Sequence, residues 1–377
     1  MDANMDTIEK LDLLAQDSQY DLACACACSD KDRRRRGLDG RWLYPVPAAS
    51  GGYGIMLKTL MSNACANDCK YCPLRSDSNV RRCSLTPDEV ANAFIEQNRK
   101  RDLIGLFLSS GVSGTSDQTM ERLTAAASIL RKRHQYRGFI HLKIIPGAST
   151  AAIDEALRLA SAVSLNVETP GQKHFEKLSK SKDYLRDIIA PIKYLSEQTA
   201  RGARHSRVKC TTQFVVGASD ETDREIVHYM GGIYDRLKFQ RVYFSAYQPD
   251  AAVDLFGEPD TLESRHARLT REHRLYQVDF LLRRYGFNSA EMEYAQNGNL
   301  DLSLDPKETW AVRHPEFFPV RINTADIHTL LRVPGLGPTI VNRILETRKT
   351  RSLRDLSGLR MARKLAARAE AYLDFKD

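Results

Sequence analysis

From residue 55 to residue 247 the chain alternates short apolar runs with longer amphipathic stretches, and few folds accommodate that rhythm. Candidate strands fall at 55–60, 104–109, 139–145, 164–167, 209–216 and 241–247. Candidate helices lie between them at 87–101, 119–134, 150–162, 184–197 and 223–237. Strands joined through helices cannot pair as hairpins, so the connections cross over and the strands run parallel under a helical layer. One helix start is written out in full: Thr86-Pro87-Asp88-Glu89 supplies a capping hydroxyl and a proline at the first helical position. The expected class is α/β, a partial (β/α)6 TIM-like barrel, with an open doubly wound sheet as the alternative. A long helix at 262–285 closes this body. In barrels the chemistry sits on loops after the C-terminal ends of the strands.

The remaining segments divide into an N-terminal extension (1–50) before the barrel (51–287), a connector packed on the barrel (288–320) and a helical tail (321–377). A helical start is read at 7–15. At 377 residues, 42% hydrophobic and 28% charged, the chain has an ordinary globular balance. No run approaches the length of a membrane span. The acidic start Met1-Asp2-Ala3-Asn4-Met5-Asp6 lacks the apolar core of a secretory signal. The expectation is a cytoplasmic protein with no membrane association. Its eight cysteines then point to metal or redox chemistry rather than to disulfides.

The net charge of +8 is unevenly placed. Residues 321–377 hold 12 Lys/Arg against 6 Asp/Glu, whereas the other 320 residues hold 44 against 42. A basic tail behind a near-neutral body fits a polyanion-binding appendage, and it equally fits a solvated Arg-rich helical domain.

Directly after the first strand stands Cys65-Ala66-Asn67-Asp68-Cys69-Lys70-Tyr71-Cys72, a C-x3-C-x2-C pattern. Three thiolates this close can converge on one inorganic centre, and thiolates are the ligands that iron–sulfur clusters need. A four-iron cubane held by three cysteines leaves one iron open to a further ligand. A structural zinc site wants four closed ligands, and Cys83, eleven residues after Cys72, offers a fourth.

The cysteine pattern, with an aromatic residue (Tyr71) before its last cysteine, resembles the radical SAM (S-adenosylmethionine) superfamily. The resemblance implies that Cys65, Cys69 and Cys72 hold a [4Fe–4S] cluster whose open iron binds the amino and carboxylate groups of SAM. One electron then cleaves SAM to methionine and a 5′-deoxyadenosyl radical that abstracts hydrogen from a substrate. It further implies SAM-binding roles for Tyr71, for Ser110 and Gly111 after the second strand, and for Asn166 and Glu168 after the fourth. Gln213 and Val215 on the fifth strand and Tyr247 at the end of the sixth complete that set. Gln213-Phe214-Val215-Val216-Gly217 followed by Glu221 resembles the family's adenine-contacting G-x-I-x-G-x-x-E segment, without its first glycine and with the glutamate displaced by one position. An electron donor such as flavodoxin or ferredoxin is implied as well.

In the tail, a helix ending Leu330-Leu331-Arg332 runs into Val333-Pro334-Gly335-Leu336-Gly337-Pro338 and a second helix. Glycines permit close backbone approach, and the second helix's free N–H groups suit a phosphate. This resembles the helix-hairpin-helix of DNA repair and recombination proteins, with Val333, Gly335, Gly337, Thr339, Arg343 and Arg348 as the implied DNA-binding residues; a protein–protein module is the alternative. Residues 353–373 look like a second, degenerate hairpin, so the tail is expected to be a small all-α helix-hairpin-helix domain.

Barrel, Asp305-Pro306-Lys307…Phe318-Pro319 connector and hairpin together resemble a bacterial family of DNA modification or repair radical SAM proteins with uracil-DNA-glycosylase-like partners. The implied activity is modification or repair of a nucleobase or deoxyribose in DNA. An RNA base-modifying enzyme and a non-catalytic, metal-stabilised DNA-binding adaptor are the alternatives. Cys24, Cys26 and Cys28 alternate on one face of an extended segment, read as a second metal site, a radical-quenching thiol or a packing segment. The run Arg33-Arg34-Arg35-Arg36 reads as a solvated patch or a phosphate contact.

Overall fold

The computed structural model describes residues 5–18, 42–47, 53–249 and 255–376; the Cys24/Cys26/Cys28 and Arg33–Arg36 runs lie outside them. Two compact units emerge, one of residues 1–221 and 232–272, the other of 222–231 and 273–377.

The first unit is a seven-stranded sheet in the order β1-β2-β3-β4-β5-β6-β7. Its strands are β1 (Leu43–Pro47), β2 (Tyr53–Leu60), β3 (Gly105–Ser109), β4 (Phe139–Lys143), β5 (Ala162–Ser164), β6 (Lys209–Val216) and β7 (Arg241–Ala246). The pairs from β2 to β7 are all parallel, as the crossover argument requires. In sequence order the helices are α1 (Thr7–Asp17), α2 (Pro87–Arg101), α3 (Ser116–Ser128), α4 (Thr150–Leu159), α5 (Gln172–Leu178), α6 (Ala190–Thr199), α7 (Asp223–Asp235) and α8 (Leu262–Arg284), of which α7 and α8 run on into the second unit. Thr86 caps α2 through Glu89 N–H, and Glu89 returns a bond to the Thr86 amide.

Alternation along the strands separates two environments. Leu57, Leu106, Leu108, Ile140, Leu142, Val163, Phe214, Val242 and Phe244 are all buried at 1% exposure or less. Each such side chain contributes roughly 1.5–3 kcal/mol of burial. The opposite rows, including Leu60, Ser109, Lys143, Gln213 and Ser245, line one cavity, so the sheet curls around it as a partial barrel.

Several expectations are corrected. The helical start read at 7–15 is α1, whose Leu11, Leu14 and Ala15 are buried, but the N-terminal extension also contributes an unforeseen antiparallel strand, β1, paired with β2. Pro45 and Pro47 hid that strand in the sequence, yet proline is tolerated on an edge strand. The strand expected at 164–167 occupies Ala162–Ser164 instead, because the chain leaves the ladder toward Glu168, which sits at φ +65°. Helix α5 was missed, being only seven residues long. The expected helices at 119–134 and 184–197 each contain a π-turn, at Ile129–Arg133 and Tyr184–Ile189.

In the second unit α9 (Pro306–Arg313) is capped by Asp305. Then come β8 (Val320–Arg321), α10 (Ile327–Arg332), α11 (Pro338–Thr347), α12 (Arg363–Glu370) and β9 (Leu373–Asp374). The tail was expected to be all-α; instead β8 and β9 form a two-residue parallel pair, Val320 opposite Leu373, that ties its ends together. Leu330, Val333, Leu336, Val341, Ile344, Leu359 and Ala369 form its core. Gly335, at φ +85°, passes so close to α12 that a Cβ there would lie 2.5 Å from the Leu365 carbonyl oxygen. Helix α9 clamps this tail from two sides. The buried Lys307 amine donates to the Leu336 carbonyl at 2.5 Å and lies 4.7 Å from the Tyr285 ring, while Asp305 pairs with Arg368 at 2.7 Å.

Burial lowers the Lys307 pKa to about 7, against the opposing pull of Asp305. Between about pH 7 and the unfolded value of 10.5 the unfolded chain therefore holds a proton that the folded chain does not, and stability rises with pH across that window. Below it both states are protonated and the contribution is flat. We expect chemical denaturation to show a rise of up to about 1 kcal/mol per pH unit in that window, absent in Lys307→Met.

Candidate active site

The cavity enclosed by the sheet has about 1050 Å³ of open space and is lined by residues that follow the C-terminal ends of the parallel strands. Cys65, Tyr71 and Cys72 come from the loop after β2, Ser110 and Gly111 from that after β3, and Asn166 and Glu168 from that after β5. Gln213 and Val215 come from β6, and Tyr247 from the end of β7. All eight residues expected to contact SAM thus line one cavity with two of the three cysteines. Cys69, the third, is buried beside it and hydrogen-bonds Lys182, which does line the cavity.

The cysteine loop has no helix or strand of its own and is held by its neighbours. On one side the Asp68 carboxylate accepts bonds from Ser179 Oγ (2.6 Å), Lys180 N (2.9 Å), Ser181 N (3.2 Å) and Ser181 Oγ (2.7 Å). Burial opposes ionisation there, but these hydrogen bonds outweigh it and hold the Asp68 pKa well below the usual carboxylate range. Lys70 N–H adds a bond to the Leu178 carbonyl at 2.9 Å. On the other side Ala66 N–H bonds the Val112 carbonyl at 2.8 Å, and Val112 N–H points at Cys65 Sγ at 3.4 Å. That approach needs Gly111: a Cβ there would lie 2.5 Å from the Ala64 carbonyl oxygen and 3.2 Å from Cys65 Cβ. Below the loop one guanidinium, Arg82, gathers the carbonyls of Asn63, Leu74, Arg75 and Ser78.

Charge is concentrated at the same end. Glu168 is 6% exposed and held in a left-handed conformation, a strain of the kind that surrounding structure must enforce. It hydrogen-bonds Tyr71, and its carboxylate lies 3.4 Å from Asn166 Nδ2. Burial, then Glu168, pushes the Tyr71 hydroxyl well above its ordinary pKa. Burial opposes charge on Lys182, but Cys69 and Glu168 hold its pKa above the ordinary value. Burial pushes the Cys69 thiol up, against Lys182.

Cys83 is not part of this centre. Its buried thiol faces the Lys10 carbonyl of α1 at 3.9 Å, and it does not line the cavity. Among the described residues no three His, Cys, Asp or Glu side chains converge on a single metal ion. Cysteines that each bind a different iron of one cluster stand farther apart than the ligands of one ion. Three thiols, an amide aimed at the Cys65 sulfur and a glycine leaving room beside the same residue therefore fit a [4Fe–4S] cluster. Glu221 closes the turn after β6, accepting from Gly217 N and Ser219 N, and does not line the cavity. Sequence reasoning missed Lys182 and the anchoring role of Asp68. It also missed Asp17 and Lys143, which line the cavity too, whereas Gln248, read from the sequence as part of a wall for adenine or substrate, does line it. Asp68 stood inside the motif; the other missed residues carried no local signal.

Residues 59–231 match the family model described as the Radical SAM superfamily. This segment, a little under half of the chain, is similar to radical SAM domains, a family that uses a [4Fe–4S] cluster and S-adenosylmethionine. Among solved structures the chain is similar to HydG, a maturase of the [FeFe]-hydrogenase, at 12% identity and TM-score 0.45, covering 58% of this chain and 49% of that one. Methylornithine synthase (PylB) matches at 14% identity and TM-score 0.44, covering 58% and 62%. Native anSMEcpe with bound AdoMet matches at 14% identity and TM-score 0.40, covering 60% and 61%. The chain spans 49% of the length of the first and 62% of the second. No curated protein matches the chain. No helix among the described residues is long and apolar enough to cross a membrane.

Replacing Cys65, Cys69 or Cys72 with Ala is expected to abolish iron–sulfur absorption and SAM cleavage after anaerobic reconstitution, whereas Cys83→Ala leaves both largely intact. Loss of the cluster in Cys83→Ala would show a four-cysteine site. Gly111→Ala, by pushing on the Ala64 carbonyl, is expected to lower reconstituted iron per chain several-fold while circular dichroism stays native.

Proposed function

We propose that this enzyme modifies or repairs a nucleobase or deoxyribose of DNA in the cytoplasm. Cys65, Cys69 and Cys72 hold the cluster. Tyr71, Ser110, Gly111, Asn166, Glu168, Gln213, Val215 and Tyr247 bind SAM. When bound, these groups supply a reducing electron and a carbon radical that abstracts hydrogen from the substrate. The chain's own part is to hold three thiols at fixed spacing, present Asn166 and Glu168 to polar groups of SAM, and enclose the reaction within the sheet. An electron donor such as flavodoxin or ferredoxin serves the cluster, and a uracil-DNA-glycosylase-like protein is the partner that the resemblance adds.

The substrate class rests on the α10–α11 hairpin. Helix α11 follows Gly337 with no side-chain cap; Pro338 has no N–H and Ile340 N–H bonds the Gly337 carbonyl at 3.0 Å, which leaves the Thr339 amide open to an anion. Thr339 is exposed in its first turn, whereas Val333 is buried and shapes the turn from inside. Arg343 donates to the Leu359 carbonyl at 2.9 Å and Arg348 to the Ala325 carbonyl at 2.6 Å, so both brace the hairpin as well as charging it. Exposed Arg351 and Arg354 supply charge outside those braces, and Lys349, also exposed, adds to it while pairing with Glu346 at 2.7 Å. A target inside a duplex must leave the stack to reach the cavity.

The full chain is expected to bind duplex DNA with an affinity that falls steeply with salt and depends little on sequence. Lys349→Ala/Arg351→Ala/Arg354→Ala is expected to flatten the salt slope by about 0.9 for each phosphate no longer neutralised. Formation of 5′-deoxyadenosine without DNA stays unchanged. Mass spectrometry of nucleosides from DNA treated with the reconstituted enzyme identifies the product. Salt-insensitive binding, or a clear preference for structured RNA, would overturn the DNA reading.

A further inference from the structure

The opposite end of the barrel carries a feature that the chemistry does not use. The segments leading into β4, β5 and β6 (residues 131–138, 158–161 and 200–209), helix ends and loops together, contain nine Lys/Arg and no Asp or Glu. Because β2 to β7 are parallel, these segments share one face, opposite the cysteines. Arg131, Lys132, Arg137 and Arg158, with Gln135 and Leu159, line an open hollow of about 890 Å³ on that face. The 200–209 loop adjoins it: Lys209 N bonds the Ser161 carbonyl at 3.1 Å, and Arg131 reaches Ser161 Oγ at 3.3 Å.

Structural duties account for part of this charge. Arg131 binds the carbonyls of Leu159, Tyr136 and Gly138, Arg133 pairs with Asp88, and Arg158 pairs with Glu155 at the end of α4. They do not account for the rest. Lys132, Arg137, Arg201, Arg204 and Arg207 are exposed, and among the described residues none of them joins an ion pair. Helix-dipole compensation acts within the last turn. Lys132 stands in such a turn, at the end of the helical segment 129–133, whereas helix α6 ends at Thr199 with no basic residue in its last turn and the three arginines follow beyond it.

The geometry points to a second nucleic-acid surface: the strand-entry face of the barrel docks a phosphodiester backbone, with the hollow between β4 and β5 and the Arg201–Arg204–Arg207 loop as its two contact areas. A polyanion is selected by the charge. Phosphate, rather than carboxylate on an acidic protein, is favoured by the excess of arginine over lysine, because a guanidinium forks onto phosphate oxygens and is weakly hydrated. Such contacts position the nucleic acid without reading its sequence. The surface extends the nucleic-acid reading above but stands on different residues from the hairpin.

The test uses the full chain, a short labelled duplex and two barrel variants, Arg201→Gln/Arg204→Gln/Arg207→Gln and Lys132→Gln/Arg137→Gln. Each is expected to weaken binding several-fold or more at moderate salt and to flatten the salt slope by about 0.9 per phosphate released from neutralisation. DNA-independent SAM cleavage and the far-ultraviolet circular dichroism stay at wild-type values. Unchanged duplex binding in both barrel variants, beside weakened binding in the Lys349/Arg351/Arg354 variant, overturns this surface alone. A wild-type chain that binds neither duplex nor RNA at low salt overturns both readings. Polyglutamate binding as tight as duplex binding, and equally lost in the barrel variants, assigns the face to an acidic polypeptide and overturns the phosphodiester proposal.

Discussion

Three thiols must stand at fixed spacing on a stretch of chain with no secondary structure, and the cavity is arranged around that requirement. The loop from Cys65 to Cys72 meets it through two attachments of different kinds. Asp68 fixes one side with four hydrogen bonds to residues 179–181, more than a hundred positions away in sequence. Gly111 fixes the other by having no side chain, which brings the β3 loop against Ala64 and Cys65. A partly exposed carboxylate stays ionised in the first attachment because every bond it accepts favours its charged form. The close approach in the second excludes any residue with a Cβ unless the loop moves.

The same end of the barrel gathers groups that a stable core avoids. Glu168 is buried, strained in backbone conformation and bonded to Tyr71, while Lys182 sits between it and Cys69. Buried charge contributes little to stability when its desolvation is counted. The apolar rows on the other face of the strands, from Leu57 to Phe244, offset that cost. One sheet thus divides its labour by the two-residue period of its side chains, packing on one face and reactivity on the other.

The second unit shows how charge counted in a sequence differs from charge available on a surface. Arg343 and Arg348 look in the sequence like phosphate ligands beside the hairpin, yet each guanidinium is engaged with main-chain carbonyls. Arg201, Arg204 and Arg207 drew no notice in a body of near-neutral composition, yet they stand exposed beyond the end of a helix.

The sequence by itself determined the parallel α/β architecture, because strands separated by amphipathic helices have no other way to pair. Five of the six parallel strands lie within two residues of their expected bounds, and the fifth expected strand coincides with β6 at 209–216. It also set three cysteines in one loop at the spacing that resembles the radical SAM family, and strand order then brought every residue expected to contact SAM to one cavity. Only the tertiary structure decided what joins segments distant in the chain. Asp68 against residues 179–181, Lys182 against Cys69 and Glu168, and Cys83 turned toward α1 were all settled there. So was the gathering of three separate basic segments on one face. The physical reason is that hydrophobic periodicity and ligand spacing are properties of neighbouring residues, whereas hydrogen bonding and charge depend on which segments the sheet's curvature brings together.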